Sequence, residues 1–158
     1  MKIKQVAVRV FLLFTMPLLT FCTKEEEVVI QDSDAWKTIN TGEFSVDVPE
    51  NWMFNRLPGI DSHVGLLTNK KDSLVFDYGL YSNKLEVDTA KYDIHFETIQ
   101  GLNAKIVKSS LPGETPFGMY IDSVNVNPIG KESFTINQVN ARPMEEAKVL
   151  RVFRSIRF

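Results

Sequence analysis

The chain has 158 residues, with 18 basic against 20 acidic side chains, and from Trp36 onward it holds 14 aromatic residues. Composition excludes a disordered, a collagenous or a disulfide-stapled protein, because this many aromatic residues can form a core without metals or crosslinks. Without Lys2, Lys4 and Arg9, which lie in an N-terminal leader, 15 basic side chains remain against 20 acidic ones, and this net charge of −5 argues against a nucleic-acid partner.

Residues 1–21 have the layout of a bacterial export signal. A basic start is followed by residues 10–21, which carry no charge. Twelve helical residues span about 18 Å, which is less than the ~30 Å hydrocarbon core of a bilayer. We therefore predict a signal peptide over residues 1–21 and disfavour a permanent transmembrane helix.

Residues 19–22 read Leu-Thr-Phe-Cys and resemble the lipobox of bacterial lipoproteins, in which the peptide is cut before a cysteine that then carries lipid. Phe21 departs from that pattern, where the residue before the cut is small. A cut after Cys22 is the alternative, and it would release a protein without lipid. Cys22 is the only cysteine, so its acylation would leave no thiol in an oxidising compartment. The resemblance implies a lipid anchor on Cys22 and a membrane as one partner.

Residues 22–35 form an acidic tether. Within it, residues 23–27 read Thr-Lys-Glu-Glu-Glu, which resembles the surface-export signal of Bacteroidetes lipoproteins. The alternative is a charged spacer that solvates the anchor and keeps the domain away from the bilayer. Together with the leader, this segment predicts a location in the cell envelope, at the outer membrane. If residues 23–27 act as an export signal, the domain faces outward.

Residues 36–158 are expected to form a single domain dominated by strands. Apolar and polar residues alternate in most segments, and turn residues separate them. In the segment 92–99, this alternation predicts that Tyr92, Ile94 and Phe96 face inward. A change of apolar parity near Asp122 predicts a bulge. The predicted strands cover residues 36–40, 44–48, 64–68, 74–81, 92–99, 102–107, 117–126 and 133–139, with a short closing strand over 155–158.

One helix is predicted, over residues 143–153. Pro143 suits the first helical position, Glu145 lies in the first turn, and Arg151 lies toward the end, where the helix dipole favours a cation. The predicted fold class is α+β, with a central antiparallel sheet of about six to eight strands and this helix packed on one face.

Three blocks resemble PsbP/Mog1-like domains. Residues 44–52 read Phe-Ser-Val-Asp-Val-Pro-Glu-Asn-Trp, residues 59–61 read Gly-Ile-Asp, and residues 152–158 read Val-Phe-Arg-Ser-Ile-Arg-Phe. The resemblance covers about residues 36–158 and implies an antiparallel sheet flanked by helices. Because only one helix is predicted here, one sheet face is expected to stay open. Members of that family are mostly binding or assembly factors, which lowers the expectation of catalysis.

No catalytic motif is present in the sequence. Phosphate-loop, dinucleotide, Gly-x-Ser-x-Gly, Ser-x-x-Lys, His-Glu-x-x-His and paired-cysteine patterns are all missing. Residues 61–63 read Asp-Ser-His, the letters of a catalytic triad, but adjacent residues point in diverging directions, whereas a triad converges from separate segments. We therefore predict a protein that is not an enzyme.

A candidate divalent-metal site lies on the strand 92–99. Alternation places Asp93, His95 and Glu97 on one face at intervals of ~6.5–7 Å, and Asp77 or Asn103 from a neighbouring strand would complete the ligand set. The alternative is a solvated face whose charges prevent edge-to-edge pairing. No other cofactor is indicated.

A candidate partner-binding cluster follows Pro49 and consists of Trp52, Met53, Phe54 and Arg56. These residue types are enriched in interface cores, so the cluster could anchor a protein partner. The alternative is a core plug beneath a loop. We therefore expect a non-enzymatic binding or assembly module for a protein partner, with a small-molecule or divalent-metal binding domain as the alternative.

Overall fold

The computed structural model describes residues 35–111, 117–139 and 144–158. Predictions for the leader, Cys22, the tether and Pro143 lie outside these ranges. No helix within them combines the length and apolarity needed to cross a bilayer. The elements are β1 (Trp36–Asn40), β2 (Ser45–Pro49), β3 (Met53–Leu57), β4 (Ser62–Thr68), β5 (Ser73–Gly79), β6 (Tyr92–Ile99), β7 (Leu102–Ser109), β8 (Phe117–Asn127), β9 (Gly130–Gln138) and α1 (Glu146–Arg154).

A seven-stranded sheet with the order β3-β4-β5-β9-β8-β7-β6 forms the body of the domain, and β1 pairs with β2 in a separate hairpin. All neighbouring strands are antiparallel. The predicted antiparallel sheet with a C-terminal helix is confirmed. The fold is mainly β, because α1 has nine residues and begins at Glu146 rather than at Pro143.

One face of the large sheet, which we call the inner face, carries the core. Its side chains come from alternate positions that the strand pairing aligns. The β1–β2 hairpin covers this face with Phe44, Val46 and Val48, and the helix covers it with Val149 and Phe153. The buried side chains of the inner face include Leu67, Leu74, Phe76, Ile106, Met119, Ile121, Phe134 and Ile136.

The C-terminus closes the β1–β2 hairpin. Ser45 and Arg157 exchange two backbone hydrogen bonds of 2.9 Å, so the predicted closing strand is present as a single antiparallel bridge. The Arg157 guanidinium also donates to the Asp47 carboxylate, with 2.7 Å between Nη2 and Oδ1. The C-terminus is therefore held by backbone and side-chain contacts at once.

The Asp47–Arg157 pair predicts a pH dependence of stability. The hydrogen bond from Arg157 lowers the pKa of Asp47. A carboxyl with a lowered folded-state pKa stabilises the protein above its unfolded pKa, and this contribution is lost as pH falls through the folded value. We expect the urea midpoint to drop between about pH 7 and about pH 3 by more in the native protein than in Asp47→Asn. Arg157→Gln should flatten the profile equally, and parallel profiles for all three proteins would contradict the assignment.

The opposite face of the sheet, the outer face, is covered unevenly. Residues 80–91 form an irregular segment, so β5 ends two residues before the predicted end at Tyr81, and this segment buries Leu85 against Val107 and Tyr120. The Lys105 ammonium donates to the Leu85 carbonyl at 2.8 Å and fixes this segment over β7. Over β3, β4 and β5 the outer face remains half-exposed.

The structure corrects the orientation predicted for β6. A turn at Gln100 and Gly101, both with positive φ, sets a register in which His95 lies opposite Ile106 and Phe96 lies opposite Lys105. Opposite residues share a face, so Phe96 points to the outer face, where it is 62% exposed. The predicted inward orientation is therefore wrong for Phe96 and also for Tyr92 and Ile94, which share its face and pack there against Val107.

The predicted bulge in β8 is confirmed. The register against β9 shifts between Ile121 and Asn125, and Ser123 adopts a positive φ of 59°. From Ile121 to Asn125, β8 advances four residues while β9 advances two, so odd-numbered residues of β8 face the inner side on both sides of the bulge, and Val126 is 67% exposed.

Candidate functional site

A polar pocket of about 280 Å³ opens at one end of the inner face, and we call it the mouth pocket. The turn after β1, the loop before β4 and the strands β3, β4, β5 and β9 contribute to it. Its ionisable and polar side chains are Glu43, Arg56, Asp61, His63, Tyr78 and Glu132.

His63 forms the inner wall of the mouth pocket. Its ring stacks on that of Phe76, with 5.6 Å between centroids, and lies 6.1 Å from that of Phe54. Gly65 makes this packing possible, because a Cβ there would lie 2.5 Å from ring carbons of both phenylalanines. Alternation along β4 thus places the imidazole against an aromatic wall that depends on a glycine two residues away.

The imidazole of His63 is the unusual group in this site. His63 is only 9% exposed, and its Nε2 is buried without a hydrogen-bond partner among the described residues. An unpaired buried polar group costs roughly 1–3 kcal/mol, and the large majority of such groups are paired in folded proteins. Because Nε2 is itself buried, this unpaired atom is out of reach of a molecule in the mouth pocket, and His63 contributes its ring to the wall.

Asp61 stands on the rim because the loop before β4 packs tightly on β5. A Cβ at Gly79 would lie 2.7 Å from Cβ of Ser62, so only glycine permits this approach. Asp61 itself adopts a positive φ of 58°, which aspartate tolerates better than most residues. The backbone of this loop thus places Asp61 at the rim of the mouth pocket.

The mouth pocket carries charges of both signs. Glu43, Asp61 and Glu132 supply three carboxylates, and Arg56 supplies a guanidinium. Glu132 accepts hydrogen bonds from Asn125 at 2.8 Å and from Asn127 at 3.0 Å.

Two features of the mouth pocket matter for binding, namely its unpaired charges and its tyrosine hydroxyl. No ion pair in the described part of the chain involves Arg56 or Asp61. Burial raises the pKa of Tyr78, and the charges of Glu132 and Glu43 raise it further, so its hydroxyl stays protonated. The pocket therefore offers separated charges and a neutral hydroxyl.

The triad letters at residues 61–63 do not form a hydrogen-bonded triad. Asp61, Ser62 and His63 all line the mouth pocket, but Nε2 of His63 receives no bond from the Ser62 hydroxyl. A serine nucleophile needs an adjacent base within hydrogen-bond reach. Residues 61–63 therefore contribute a polar wall and a carboxylate at the rim of the pocket.

The candidate metal ligands lie on the inner face at the sheet edge, beside α1. His95 Nε2 lies 3.3 Å from Oε1 of Glu97, whereas the carboxylate of Asp93 accepts from the Ser110 hydroxyl at 3.4 Å. Arg154 donates to both oxygens of Glu97, at 2.8 and 2.6 Å, and these bonds lower the pKa of Glu97.

The neighbours proposed to complete that metal site lie in different places. Asn103 is on the adjacent strand, opposite Thr98. Asp77 is on β5, four strands from β6 and therefore about 19 Å away. Across the described ranges, no group of three or more His, Cys, Asp or Glu side chains is placed to hold a metal. The structure thus brings His95 and Glu97 together, but neither Asp93 nor Asp77 joins them.

The candidate partner-binding cluster is divided by the geometry of β3. Trp52 is 1% exposed and belongs to the core, so this residue is corrected from interface anchor to core plug. Phe54 packs on Phe76 at the inner face, and Met53 is 43% exposed on the outer face. Arg56 lines the mouth pocket. Successive strand residues point to opposite faces, which explains why these four residues form no common surface.

Glu43, Tyr78 and Glu132 are site residues that the sequence analysis missed. They come from three segments up to 89 positions apart, and no local spacing connects them. The Asp-Ser-His run at residues 61–63 was the single local signal of this site. Comparison of the chain with protein-family models, curated proteins and solved structures gives no match.

Proposed function

We propose that the protein is a lipid-anchored lipoprotein of the cell envelope that binds a protein partner and catalyses no reaction. The lipobox-like segment ending at Cys22, the tether over residues 22–35 and the export-like run after Cys22 support an outer-membrane, outward-facing location. The PsbP/Mog1-like blocks within residues 36–158 support a binding or assembly role, and the antiparallel sheet agrees with that resemblance.

A half-exposed apolar area on the outer face carries the partner-binding proposal. Leu57 lies opposite Val64, and Leu66 lies opposite Val75, so these four side chains adjoin across β3, β4 and β5. With Met53 they form what we call the outer patch, and none of the five belongs to a buried cluster of the described residues. Contiguous apolar surface of this kind is typical of interaction sites.

The edge of the sheet next to the outer patch favours a protein as its occupant. β3 is the terminal strand, so one side of its backbone is unpaired within the large sheet. An extended segment of a partner can add to such an edge, while its side chains contact the adjoining apolar face. A small molecule would use the apolar area alone, whereas a protein can use the area and the strand edge together.

Leu66→Asp tests this proposal. Full-length protein is crosslinked in intact envelopes, and the stoichiometry of any partner on the outer patch is compared between variants. A charge at the centre of an interface should weaken partner binding at least tenfold, the equivalent of about 1.4 kcal/mol.

Ile129→Asp is the matched control for this test. Ile129 is 82% exposed in the turn between β8 and β9, away from the outer patch. The control should retain the partner, and Met53→Asp should reproduce the loss if Leu66→Asp lowers the melting temperature. Equal capture by all variants, or no partner at a fixed stoichiometry, would overturn the proposal.

Small-molecule binding is the second candidate function, and the mouth pocket, lined by Arg56 and three carboxylates, favours it. Divalent-metal binding at Asp93, His95 and Glu97 is its weaker form, because Arg154 already occupies both oxygens of Glu97. Addition of zinc or calcium should leave the melting temperature of the purified protein unchanged if Arg154 keeps that position.

A further inference from the structure

We propose that the mouth pocket binds a small zwitterion of the α-amino-acid class, which carries one carboxylate and one ammonium group. This site lies apart from the outer patch and involves none of its residues, so the inference is independent of the proposed protein partner. The charges and the volume of the pocket each narrow the class of ligand.

The charges at the rim favour a ligand with both signs. A simple anion would be attracted by Arg56 but repelled by the carboxylates of Asp61 and Glu43, and a simple cation would meet the reverse. Arg56 and Asp61 line the same pocket without forming an ion pair in the described part of the chain. A zwitterion can place its carboxylate on the guanidinium, where a charge-assisted bidentate bond forms, and its ammonium among the carboxylates.

The inner wall of the mouth pocket is held in place before any ligand binds. The His63 ring packs on Phe76 and Phe54, with 5.6 and 6.1 Å between ring centroids. Its Nε2 is buried and contributes no contact to the pocket, and the Tyr78 hydroxyl on the same wall stays protonated beside Glu132. A rigid wall reduces the ordering cost of binding a ligand.

The volume limits the ligand to a small molecule. At about 280 Å³ the pocket lies just below the range of roughly 300–1,000 Å³ that is typical for larger ligands. It also lies at the turn end of the β1–β2 hairpin, whereas the chain enters the domain at Ala35, six residues or about 20 Å away along β1.

Titration of the full-length protein with glycine tests the inference. The His63 ring resonances should shift saturably at millimolar glycine. Acetate and methylamine, which carry one charge each, should bind at least tenfold more weakly. Arg56→Gln and Asp61→Asn should each weaken glycine binding about tenfold, because each removes one charge-assisted contact.

Glu50→Gln is the matched control, because Glu50 has an exposed carboxylate at the other end of the β1–β2 hairpin, where its backbone N–H donates to the Ala35 carbonyl. This variant should bind glycine like the native protein. Absence of a saturable shift, equal binding of methylamine, or unchanged binding in Arg56→Gln and Asp61→Asn would each overturn the inference. Leu66→Asp should bind glycine normally. A failure of the zwitterion proposal can therefore be distinguished from a failure of the partner proposal.

Discussion

Trp52→Ala should lower the free energy of unfolding by about 3–5 kcal/mol. Trp52 is 1% exposed and is one of the largest fully buried side chains of the core. Its removal loses the transfer free energy of the indole and leaves a cavity beside the β2–β3 connection. Since domains of this size are stable by about 5–15 kcal/mol, the variant should unfold at a much lower urea concentration, measured by far-ultraviolet circular dichroism.

Met53→Ala is the matched control for Trp52→Ala. Met53 is adjacent in the chain but 43% exposed on the outer face, so we expect a change within about 1 kcal/mol. A loss in Trp52→Ala no larger than in Met53→Ala would show that the indole is not part of the core. Because Trp52 and Met53 are adjacent in the chain, the difference between the two variants reports which side chain faces the core and not a difference in backbone position.

Local patterns predict most of this sheet, because each depends on neighbours in sequence. The alternation of Leu74, Phe76 and Tyr78 indicates one buried face, and all three side chains are buried on the inner face. The parity change near Ser123 likewise identifies the bulge in β8. In both cases the prediction follows from the period-two geometry of a strand, in which successive side chains point to opposite faces.

Two features could not be predicted in this way. β3 was missed because Met53–Leu57 shows no regular alternation, and its place at the sheet edge leaves three of its five residues exposed. The orientation of Phe96 was wrong because it depends on the register of the hairpin, and a shift of one residue at the turn reverses the face of every side chain.

The mouth pocket is a product of tertiary structure. Its walls meet because β4 pairs with β5 and β5 pairs with β9, which brings His63, Tyr78 and Glu132 to one end of the inner face. Antiparallel order of this kind cannot be read from the spacing of polar residues. Asp61 and His63 stand close in sequence, but their run was considered only as the letters of a catalytic triad, which the sequence analysis rejected, and no pocket was predicted there.

Cys22→Ala should release the protein from the membrane almost completely. Lipid is the one strong attraction to the bilayer that the sequence predicts for the mature protein, because the acidic residues after Cys22 repel anionic headgroups. The measurement is fractionation of cells that express the full-length chain, together with incorporation of labelled fatty acid. The native protein should be labelled and sedimented with membranes, and the variant should show neither property.

Thr23→Ala is the matched control for the anchor, since it changes the next residue and leaves the cysteine in place. It should remain labelled and bound to membranes. A native protein that is soluble and unlabelled would instead indicate cleavage after Cys22, for which Phe21 at the lipobox provides the reason. Retention of Cys22→Ala on membranes would contradict the lipid anchor and would indicate that the leader itself remains attached. Release should leave glycine binding unchanged, because none of the residues that line the mouth pocket belongs to the leader or the tether.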